Sequence, residues 1–197
     1  MPPLRIAFAS DHAGFALKKT LMEALRQEGH ALEDFGCSSE APSDLSDHAA
    51  PAAEALGLGR FDRAIFVDGA GYPSGIVANM FHGVFAAVCN DPISAKLARE
   101  HGGANALCLG SMIVGQLMAR EIVKVFLSAE PLPGKYEERR KKVAEIGNRH
   151  RVGPLHRTRQ VLTLEDLKDA VENKRPLMID ENTVMTPGVL DAVKGRG

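Results

Sequence analysis

Short apolar runs alternate with amphipathic stretches along the first two thirds of the chain, and this alternation restricts the possible folds most strongly. Residues 4–9 form an apolar run, after which Leu17, Leu21 and Leu25 recur at the spacing of one helix face. Apolar strands that alternate with helices are typical of a parallel sheet with helices packed on both faces. The sequence therefore predicts an α/β protein.

The same pattern continues for five predicted strands and six predicted helices. The strands are expected at residues 4–9, 31–35, 63–67, 84–89 and 106–109. The helices are expected at residues 17–26, 49–58, 75–80, 92–100, 115–127 and 135–148. Ligands of parallel sheets gather where the strands end and loops lead into helices. The loops that are candidates for a site are residues 10–14, 68–75, 89–92 and 110–115.

A break at Gly153-Pro154 separates a first domain, residues 1–150, from a short extension, residues 151–197. The extension predicts a strand over 161–164, a helix over 165–172 and a strand over 177–179, then Thr186-Pro187 and a final helical turn. Some 40 residues build little core alone. We therefore expect this strand–helix–strand extension to pack on the main domain or on a partner.

Composition and charge exclude several classes of function. The net charge of −1 gives no general attraction to nucleic acid, and no window approaches the roughly 18 apolar residues of a membrane span. Three cysteines without a C-x-x-C pair argue against a disulfide framework and for reduced thiols. The seven histidines show no metal-ligand spacing, so we expect no metal site. A cytoplasmic protein is predicted.

A glycine-rich loop, residues 68–75, follows the third predicted strand. Its glycines let the backbone approach a ligand and direct N–H groups at an anion or a developing oxyanion. The loop lacks the Gly-Lys-Ser/Thr of a phosphate-binding Walker loop, so a tight turn is the alternative interpretation. Asp68 ends the strand, where α/β enzymes place catalytic side chains. The alternative for Asp68 is a cap on the following turn.

Other polar residues have a functional and a structural interpretation. His12 follows the first strand beside Asp11, where an imidazole N–H suits a phosphate or a sugar oxygen, although a capped turn with an exposed histidine is the commoner explanation. His101 follows a helix, where interaction with the helix dipole is the plain alternative. The run 139–142, with Lys135, is either a solvated face or a phosphate clamp.

Taken together, these segments resemble the type-B ribose-5-phosphate isomerase and galactose-6-phosphate isomerase family. The matching segments are residues 10–15, 34–36, the glycine-rich loop through Ala78-Asn79, 94–101, 105–110 and 113–115. The resemblance covers about residues 4–146 and leaves the extension outside.

The resemblance implies a Rossmann-like domain, obligate dimers whose sites use both subunits, and aldose–ketose isomerisation without a metal or cofactor. A sugar phosphate, most simply ribose 5-phosphate, is the implied substrate. By similarity, His101 opens the sugar ring, Asp11 and His12 contact the substrate, and Lys135 and Arg139 bind phosphate. The loop from Gly69 onward forms the implied oxyanion cradle, with Gly69, Ala70, Gly71 and Tyr72.

The sequence departs from the family pattern at several of these positions. Asp68 stands in place of the usual catalytic cysteine. The other departures are Pro73 for a glycine, Ser74 where another branch has a glutamate, Gly102 for an asparagine, Met112 for a phosphate-binding arginine and Tyr136 where a histidine often sits. Gly102 and Met112 are still expected to line the substrate site.

Two hypotheses follow from Asp68. In the first, the chain is an active isomerase and the Asp68 carboxylate is the base that forms the enediolate. In the second, the chain is an incomplete subunit that needs a cysteine-bearing partner, as in one subunit type of galactose-6-phosphate isomerase that also carries Asp there. A nucleotide- or flavin-binding module is a third hypothesis.

The extension loosely resembles short extensions of enzymes in bacterial microcompartments. This resemblance predicts that the extension serves in assembly or docking. The alternative is that the extension is a strap that rests on the dimer.

Overall fold

The computed structural model describes residues 2–150 and, beyond them, residues 161–162, 167–168, 171–172, 184–185, 189 and 192. The chain divides into two compact units, Met1–Pro154 and Leu155–Gly197. The first unit contains a five-stranded parallel sheet and the helices that cover it. The predicted α/β class with a parallel sheet is therefore confirmed.

The elements of the first unit follow the predicted alternation. The strands are β1 (Arg5–Ser10), β2 (Ala31–Asp34), β3 (Arg63–Asp68), β4 (Ala86–Val88) and β5 (Ala106–Gly110). The helices are α1 (Phe15–Gln27), α2 (Leu45–Gly57), α3 (Tyr72–Ala78), α4 (Pro92–Glu100), α5 (Gln116–Ser128) and α6 (Lys135–His150). The strand order in the sheet is β2-β1-β3-β5-β4.

The central strands β1, β3 and β5 are almost wholly buried because helices pack on both faces of the sheet. On one face, apolar side chains of α1 and α5 pack against Phe8, Ile65 and Leu107. On the other face, the alanine-rich α2 and the end of α3 pack against Ala7 and Phe66. Small side chains on α2 let the helix approach the sheet closely, which leaves no room for water between the layers.

Three elements have bounds in the structure that differ clearly from the predicted ones. Helix α2 begins at Leu45 because the side chain of Asp44 accepts a hydrogen bond from the N–H of Ser46 (2.8 Å) and caps the first turn. Helix α3 begins at Tyr72, earlier than residue 75, after Gly71 takes a left-handed conformation (φ 82°) that ends the loop. Strand β4 covers three residues, shorter than the predicted 84–89.

In the second unit, β6 (Val161–Leu162) pairs in parallel with β7 (Val184–Met185). Leu167, Lys168, Val171 and Glu172 are helical, in agreement with the helix predicted over 165–172. The strand predicted over residues 177–179 lies outside the described residues.

Candidate functional site

Loops after β1, β3 and β5 meet at the carboxyl edge of the sheet. The N–H of Ser111 donates to the carbonyl of Asp68 (2.7 Å), and its hydroxyl donates to the carbonyl of Ala13 (2.8 Å). The N–H of Met112 donates to the carbonyl of Gly69 (3.0 Å). The sheet order reverses direction between β1 and β3, which is where ligands bind in this architecture. Three of the predicted loops therefore form one surface.

Close packing holds the β1 loop against β3. A Cβ atom on Gly14 would lie only 2.0 Å from the carbonyl oxygen of Val67, a distance that no side chain tolerates. Glycine at this position lets the loop that carries Asp11 and His12 lie directly beside the end of β3. The sequence motif after the first strand is thus explained by a close backbone approach.

The carboxylate of Asp68 is buried and accepts three hydrogen bonds from its own loop. Its Oδ1 accepts from the N–H groups of Ala70 (2.8 Å) and Gly71 (2.6 Å), and its Oδ2 accepts from the N–H of Ser74 (3.1 Å). The residue is 1% exposed. This is the capping role that the sequence left open as the alternative. In this conformation the carboxylate does not present a free oxygen to the surface, as a base for a substrate would.

The hydrogen bonds of Asp68 reduce the number of N–H groups that the expected oxyanion cradle can offer to a substrate. The N–H groups of Ala70 and Gly71 point at Asp68, so they are not free for a substrate oxygen. Within residues 2–150, the N–H groups of Gly69 and Tyr72 have no acceptor and remain available. Pro73 has no N–H to offer. The backbone N–H groups of the oxyanion cradle expected from the resemblance are therefore present, but the Asp68 carboxylate binds two of them.

Asp11 and His12 lie at the same edge with part of their hydrogen-bonding capacity unused. Asp11 Oδ1 accepts from the N–H of Gly14 (3.0 Å), which fixes the carboxylate at the start of α1. Nδ1 of His12 accepts from the N–H of Ser43 (3.3 Å), an interaction that leaves Nε2 for a ligand. The exposed side chain of Met112 lies beside Gly69. We call Asp11, His12, Gly69–Tyr72 with Asp68, and Met112 the strand-end cluster.

No cysteine near the loop replaces the family's cysteine as a base. Cys108 lies on β5 within 3.7 Å of where a Cβ on Gly75 would sit, close to Asp68 and Ser74. Burial raises the pKa of the Cys108 thiol to about 12, and burial also raises the pKa of Cys89. Both groups are therefore neutral thiols near pH 7 and are poor bases.

A second group of predicted residues forms where α4 ends and α6 begins. The imidazole of His101 stacks on the ring of Tyr136, with ring centroids 4.1 Å apart and planes at 6°. Lys135 Nζ lies 5.1 Å and Arg139 Cζ 5.6 Å from the centre of the Tyr136 ring. We call His101, Gly102, Lys135, Tyr136 and Arg139 the α4–α6 cluster. It places the predicted ring-opening residue beside the two predicted phosphate-binding cations.

Arg140 fastens α6 to the end of α4. Its guanidinium donates to the carbonyls of Glu100 (3.2 Å) and Leu132 (2.8 Å), and its side chain lies against Gly103. A cavity of about 260 Å³ opens beside it, lined in part by Gly102, Gly103 and Arg140. The predicted substrate residue Gly102 therefore lines a cavity, but the described residues that line it do not include His101, Lys135, Tyr136 or Arg139.

The two clusters lie at opposite edges of the sheet within one chain. Asp68 is the last residue of β3 and pairs in register with Gly110, the last residue of β5. His101 ends α4, which returns to the start of β5, and Ala106 begins that strand. A strand of this length spans about 13 Å. Within one chain the end of β3 and the end of α4 thus face opposite edges of the sheet, and convergence of Asp68 and His101 on one ligand stays a prediction for a site shared by two subunits.

The described residues contain neither a group of three or more His, Cys, Asp or Glu side chains placed to hold a metal ion nor a helix long and apolar enough to cross a membrane. The candidate site therefore consists of carboxylates, imidazoles, backbone N–H groups and basic side chains. These groups transfer protons and bind anions.

The fold and the strand-end cluster define an α/β protein with a candidate site at the carboxyl edge of a parallel sheet. Comparison with known proteins specifies the kind of protein further. The chain belongs to the Ribose/Galactose Isomerase family, whose model matches residues 6–145. The resemblance stated from the sequence is thereby confirmed.

Individual relatives agree with this family assignment. The chain is similar to ribose-5-phosphate isomerase B of Escherichia coli (strain K12), with 36% identity over 74% of this chain and 97% of that protein. It is similar to D-erythrulose-4-phosphate isomerase of Pectobacterium atrosepticum, with 34% identity over 64% of this chain and 84% of that protein. A solved ribose-5-phosphate isomerase B of Mycoplasma genitalium with bound ribulose-5-phosphate superposes with a TM-score of 0.70, at 33% identity over 73% and 96% of the two chains.

Sequence reasoning missed two contributions to the site. The roles of Tyr136 and Arg140 depend on where α6 folds back, which no local pattern specifies. The sequence marks Tyr136 only as a departure from the family, and the aromatic ring one residue after Lys135 is the available signal. Arg140 belongs to a basic run in the sequence, whereas in the structure its guanidinium donates to two carbonyls.

Proposed function

We propose that the chain is an aldose–ketose isomerase that acts on a phosphorylated sugar, with ribose 5-phosphate and ribulose 5-phosphate as the favoured pair. One observation carries this proposal. The loops after β1, β3 and β5 are tied into one surface by hydrogen bonds, in a chain that spans 97% of the length of the Escherichia coli isomerase. The relatives at 33–36% identity include enzymes for five-carbon and four-carbon sugar phosphates.

The reaction requires two proton-transfer stages, and the chain has groups for each. To open the furanose, a proton leaves the anomeric hydroxyl and another reaches the ring oxygen, which an imidazole such as His101 can mediate. A base then removes the proton from C2, and the electron pair forms the C1–C2 double bond of an enediolate. Transfer of the O2 proton to O1 and return of the carbon-bound proton to C1 then give the ketose. Backbone N–H groups of the glycine-rich loop stabilise the enediolate oxygen. No metal and no cofactor take part in this scheme.

The proposal keeps Asp68 as the base but adds a displacement step. In the present conformation three N–H groups bind the carboxylate. A substrate oxygen competes for the same N–H groups, and it would take the place of the carboxylate on Ala70 and Gly71. The released carboxylate then lies beside the substrate carbons. The substrate oxygen replaces the carboxylate oxygen as hydrogen-bond acceptor, so the N–H groups stay satisfied after the exchange.

A second copy of the chain completes the site in this proposal. The α4–α6 cluster and the strand-end cluster cannot meet within one chain, so His101, Lys135 and Arg139 would serve the neighbouring copy. Positions 72, 76 and 80 support this proposal, because Tyr72, Ile76 and Met80 form an apolar stripe at helical spacing and are 57–64% exposed. An exposed stripe of this kind is typical of a protein interface. A homodimer follows.

Location and partners are part of the same proposal. The three cysteines Cys37, Cys89 and Cys108 are free and buried, which suits a reducing cytoplasm. The proposed partners are a sugar phosphate and a second copy of the chain. Nucleic acid and membrane are not proposed as partners, since the formal net charge is −1. For residues 151–197, we retain the expectation of a separate extension that packs on the main domain or on a partner.

A second candidate function is favoured by the bonds of Asp68. If the carboxylate stays on its three N–H groups, the chain binds sugar phosphate without turning it over. It then acts as a subunit that needs a cysteine-bearing partner. The hydrogen bonds of the Asp68 carboxylate, at 2.6–3.1 Å, are the observation that supports this second function.

The deciding experiment assays the purified chain alone on pentose, tetrose and hexose phosphates. We expect turnover of at least one substrate, reduced by about a hundredfold or more in Asp68→Asn, which cannot accept the proton. Asp91→Asn is the matched control, because Asp91 caps α4 through the N–H of Ser94 (2.8 Å) outside the proposed chemistry. Activity that appears only after a cysteine-bearing relative is added would support the second candidate.

A further inference from the structure

His101 is held differently from the other histidines whose contacts are described. Nδ1 of His30 accepts from the N–H of Leu4 (3.1 Å), and Nδ1 of His48 lies 3.1 Å from the carbonyl of Phe35. Nδ1 of His12 is bound in the same way by the backbone of Ser43. A backbone hydrogen bond thus fixes each of these rings and occupies one ring nitrogen.

The imidazole of His101 makes no hydrogen bond to any residue of the range 2–150. Its oriented contact is the face of Tyr136, at 4.1 Å between ring centroids and 6° between planes. Stacking restricts the tilt of the ring and leaves both nitrogens open. A residue that both delivers and removes protons during ring opening needs that freedom at its nitrogens.

Tyr136 also connects this ring to the basic side chains. Lys135 and Arg139 lie within 5.1 and 5.6 Å of the Tyr136 ring centre. The backbone beneath is fixed because Arg140 binds carbonyls of Glu100 and Leu132 on both sides of the junction. The stack therefore sets the position of the imidazole relative to the two cations.

We propose that Tyr136 is a positioning residue, which holds the His101 imidazole by stacking so that its two nitrogens stay free to open the sugar ring. This inference rests on the proposed isomerase function and deepens it. It assigns to Tyr136 a role in the ring-opening stage alone, separate from proton transfer between carbons.

The separation of stages gives a sharp test. Ribose 5-phosphate closes into a furanose through its 4-hydroxyl, whereas erythrose 4-phosphate cannot, since its 4-oxygen carries the phosphate. Tyr136→Ala should lower kcat/KM for ribose 5-phosphate by about tenfold or more, since misplacement by about 1 Å can cost up to a hundredfold. Its effect on erythrose 4-phosphate should stay within about threefold. Tyr136→Phe preserves the aromatic ring, so its kcat/KM values for ribose 5-phosphate and erythrose 4-phosphate should match those of the wild-type chain.

Val143→Ala is the matched control, because it removes apolar volume from the exposed side of α6 outside the stack. It should leave both substrates unchanged. Equal losses on both sugars in Tyr136→Ala would overturn the inference, since they would indicate a general structural or phosphate-binding role. A defect in Tyr136→Phe as large as in Tyr136→Ala would overturn it too, because the hydroxyl would then be the active part.

A spectroscopic readout keeps the inference separable from the isomerase proposal. The His101 ring protons should resonate upfield through the ring current of Tyr136 in the wild-type chain and in Tyr136→Phe, and should return downfield in Tyr136→Ala. A chain that turns over neither sugar but shows this shift contradicts the isomerase function and retains the positioning contact. Absence of the shift in the wild-type chain refutes the contact, whatever the activity.

Discussion

Asp68 and His101, the two residues proposed for the chemistry, are held in opposite ways. Three N–H groups bind the buried Asp68 carboxylate, whereas the His101 ring is held by a stacked aromatic face and keeps its nitrogens free. The carboxylate must give up its partners before it can accept a proton, but the imidazole needs only a substrate within reach. In the proposed mechanism, Asp68 therefore acts only after its loop rearranges, whereas His101 acts without rearrangement.

Removal of the Asp68 side chain tests its capping role. Asp68→Ala leaves three N–H groups of the loop, two of them in buried hydrogen bonds, without their acceptor, so we expect the free energy of unfolding to fall by about 2 kcal/mol or more. The measurement is urea denaturation. Asp91→Ala, which removes an exposed cap from α4, should have a smaller effect. Equal effects of the two substitutions would show that the Asp68 bonds contribute little.

Thiol reactivity tests the environment of the two cysteines near the sheet end. Burial raises the pKa of Cys108 to about 12 and raises that of Cys89, so both stay protonated, and therefore unreactive, near neutral pH. We expect neither to react with a thiol reagent at pH 8 in the native chain, and both to react after unfolding. Mass spectrometry of the labelled peptides gives the answer. Rapid native labelling of Cys108 would contradict the described packing.

The elements of the sheet bring the loops together through close backbone contacts. Gly14 is the clearest case, because the β1–α1 loop lies on the carbonyl of Val67 in β3. In contrast, a Cβ on Gly115, before α5, meets nothing within 4 Å. The two glycines occupy the same kind of loop, but only the first is required by its surroundings.

Alanine substitutions at these glycines test that difference. Gly14→Ala forces a methyl group against backbone that cannot move aside, so we expect a loss of about 1–3 kcal/mol in the free energy of unfolding. Gly115→Ala should change it little. Thermal denaturation of both variants provides the measurement. A stable Gly14→Ala variant would show that the loop has freedom to move away from β3.

Much of the fold was predictable at the element scale, because apolar periodicity reports burial directly. The strands β1, β3 and β5 and the helix α4 fall close to their expected bounds. The early start of α3 was not predictable from periodicity, since it depends on the left-handed conformation of Gly71.

For the site, the sequence predicted four candidate loops because parallel strands end at one edge, and the loops after β1, β3 and β5 are joined by hydrogen bonds. It left open whether the Asp68 carboxylate caps the following turn or faces a substrate. In the structure the carboxylate binds N–H groups of its own loop, an arrangement that depends on the loop conformation and not on a local sequence pattern. The stack of Tyr136 on His101 was equally beyond a local pattern, because it joins α6 to the end of α4.

At the scale of the whole molecule, we propose that one chain carries two incomplete halves of a site. The strand-end cluster has the carboxylates and the backbone N–H groups, and the α4–α6 cluster has the imidazole and the cations. In the proposed homodimer, the α4–α6 cluster of each copy forms a site together with the strand-end cluster of the other copy. Oligomeric state and activity should then depend on each other.

A charge placed in the apolar stripe tests this dependence. Ile76→Lys should disrupt the proposed interface, because the stripe at positions 72, 76 and 80 would have to bury an ammonium group. We expect a shift towards monomer in analytical ultracentrifugation, together with loss of turnover. Leu58→Lys is the control, since Leu58 is 56% exposed and follows the end of α2 at the opposite edge of the sheet. A fully active Ile76→Lys monomer would contradict the shared site.

The most direct test of the central claim mixes two inactive variants, Asp68→Asn and His101→Ala. If His101 of one copy serves the Asp68 loop of the other, each mixed dimer contains one site with both residues intact. Random exchange makes half of the dimers mixed, so we predict recovery of about a quarter of the wild-type activity. A mixture that remains as inactive as its two components, with subunit exchange verified by mass spectrometry, would contradict the claim.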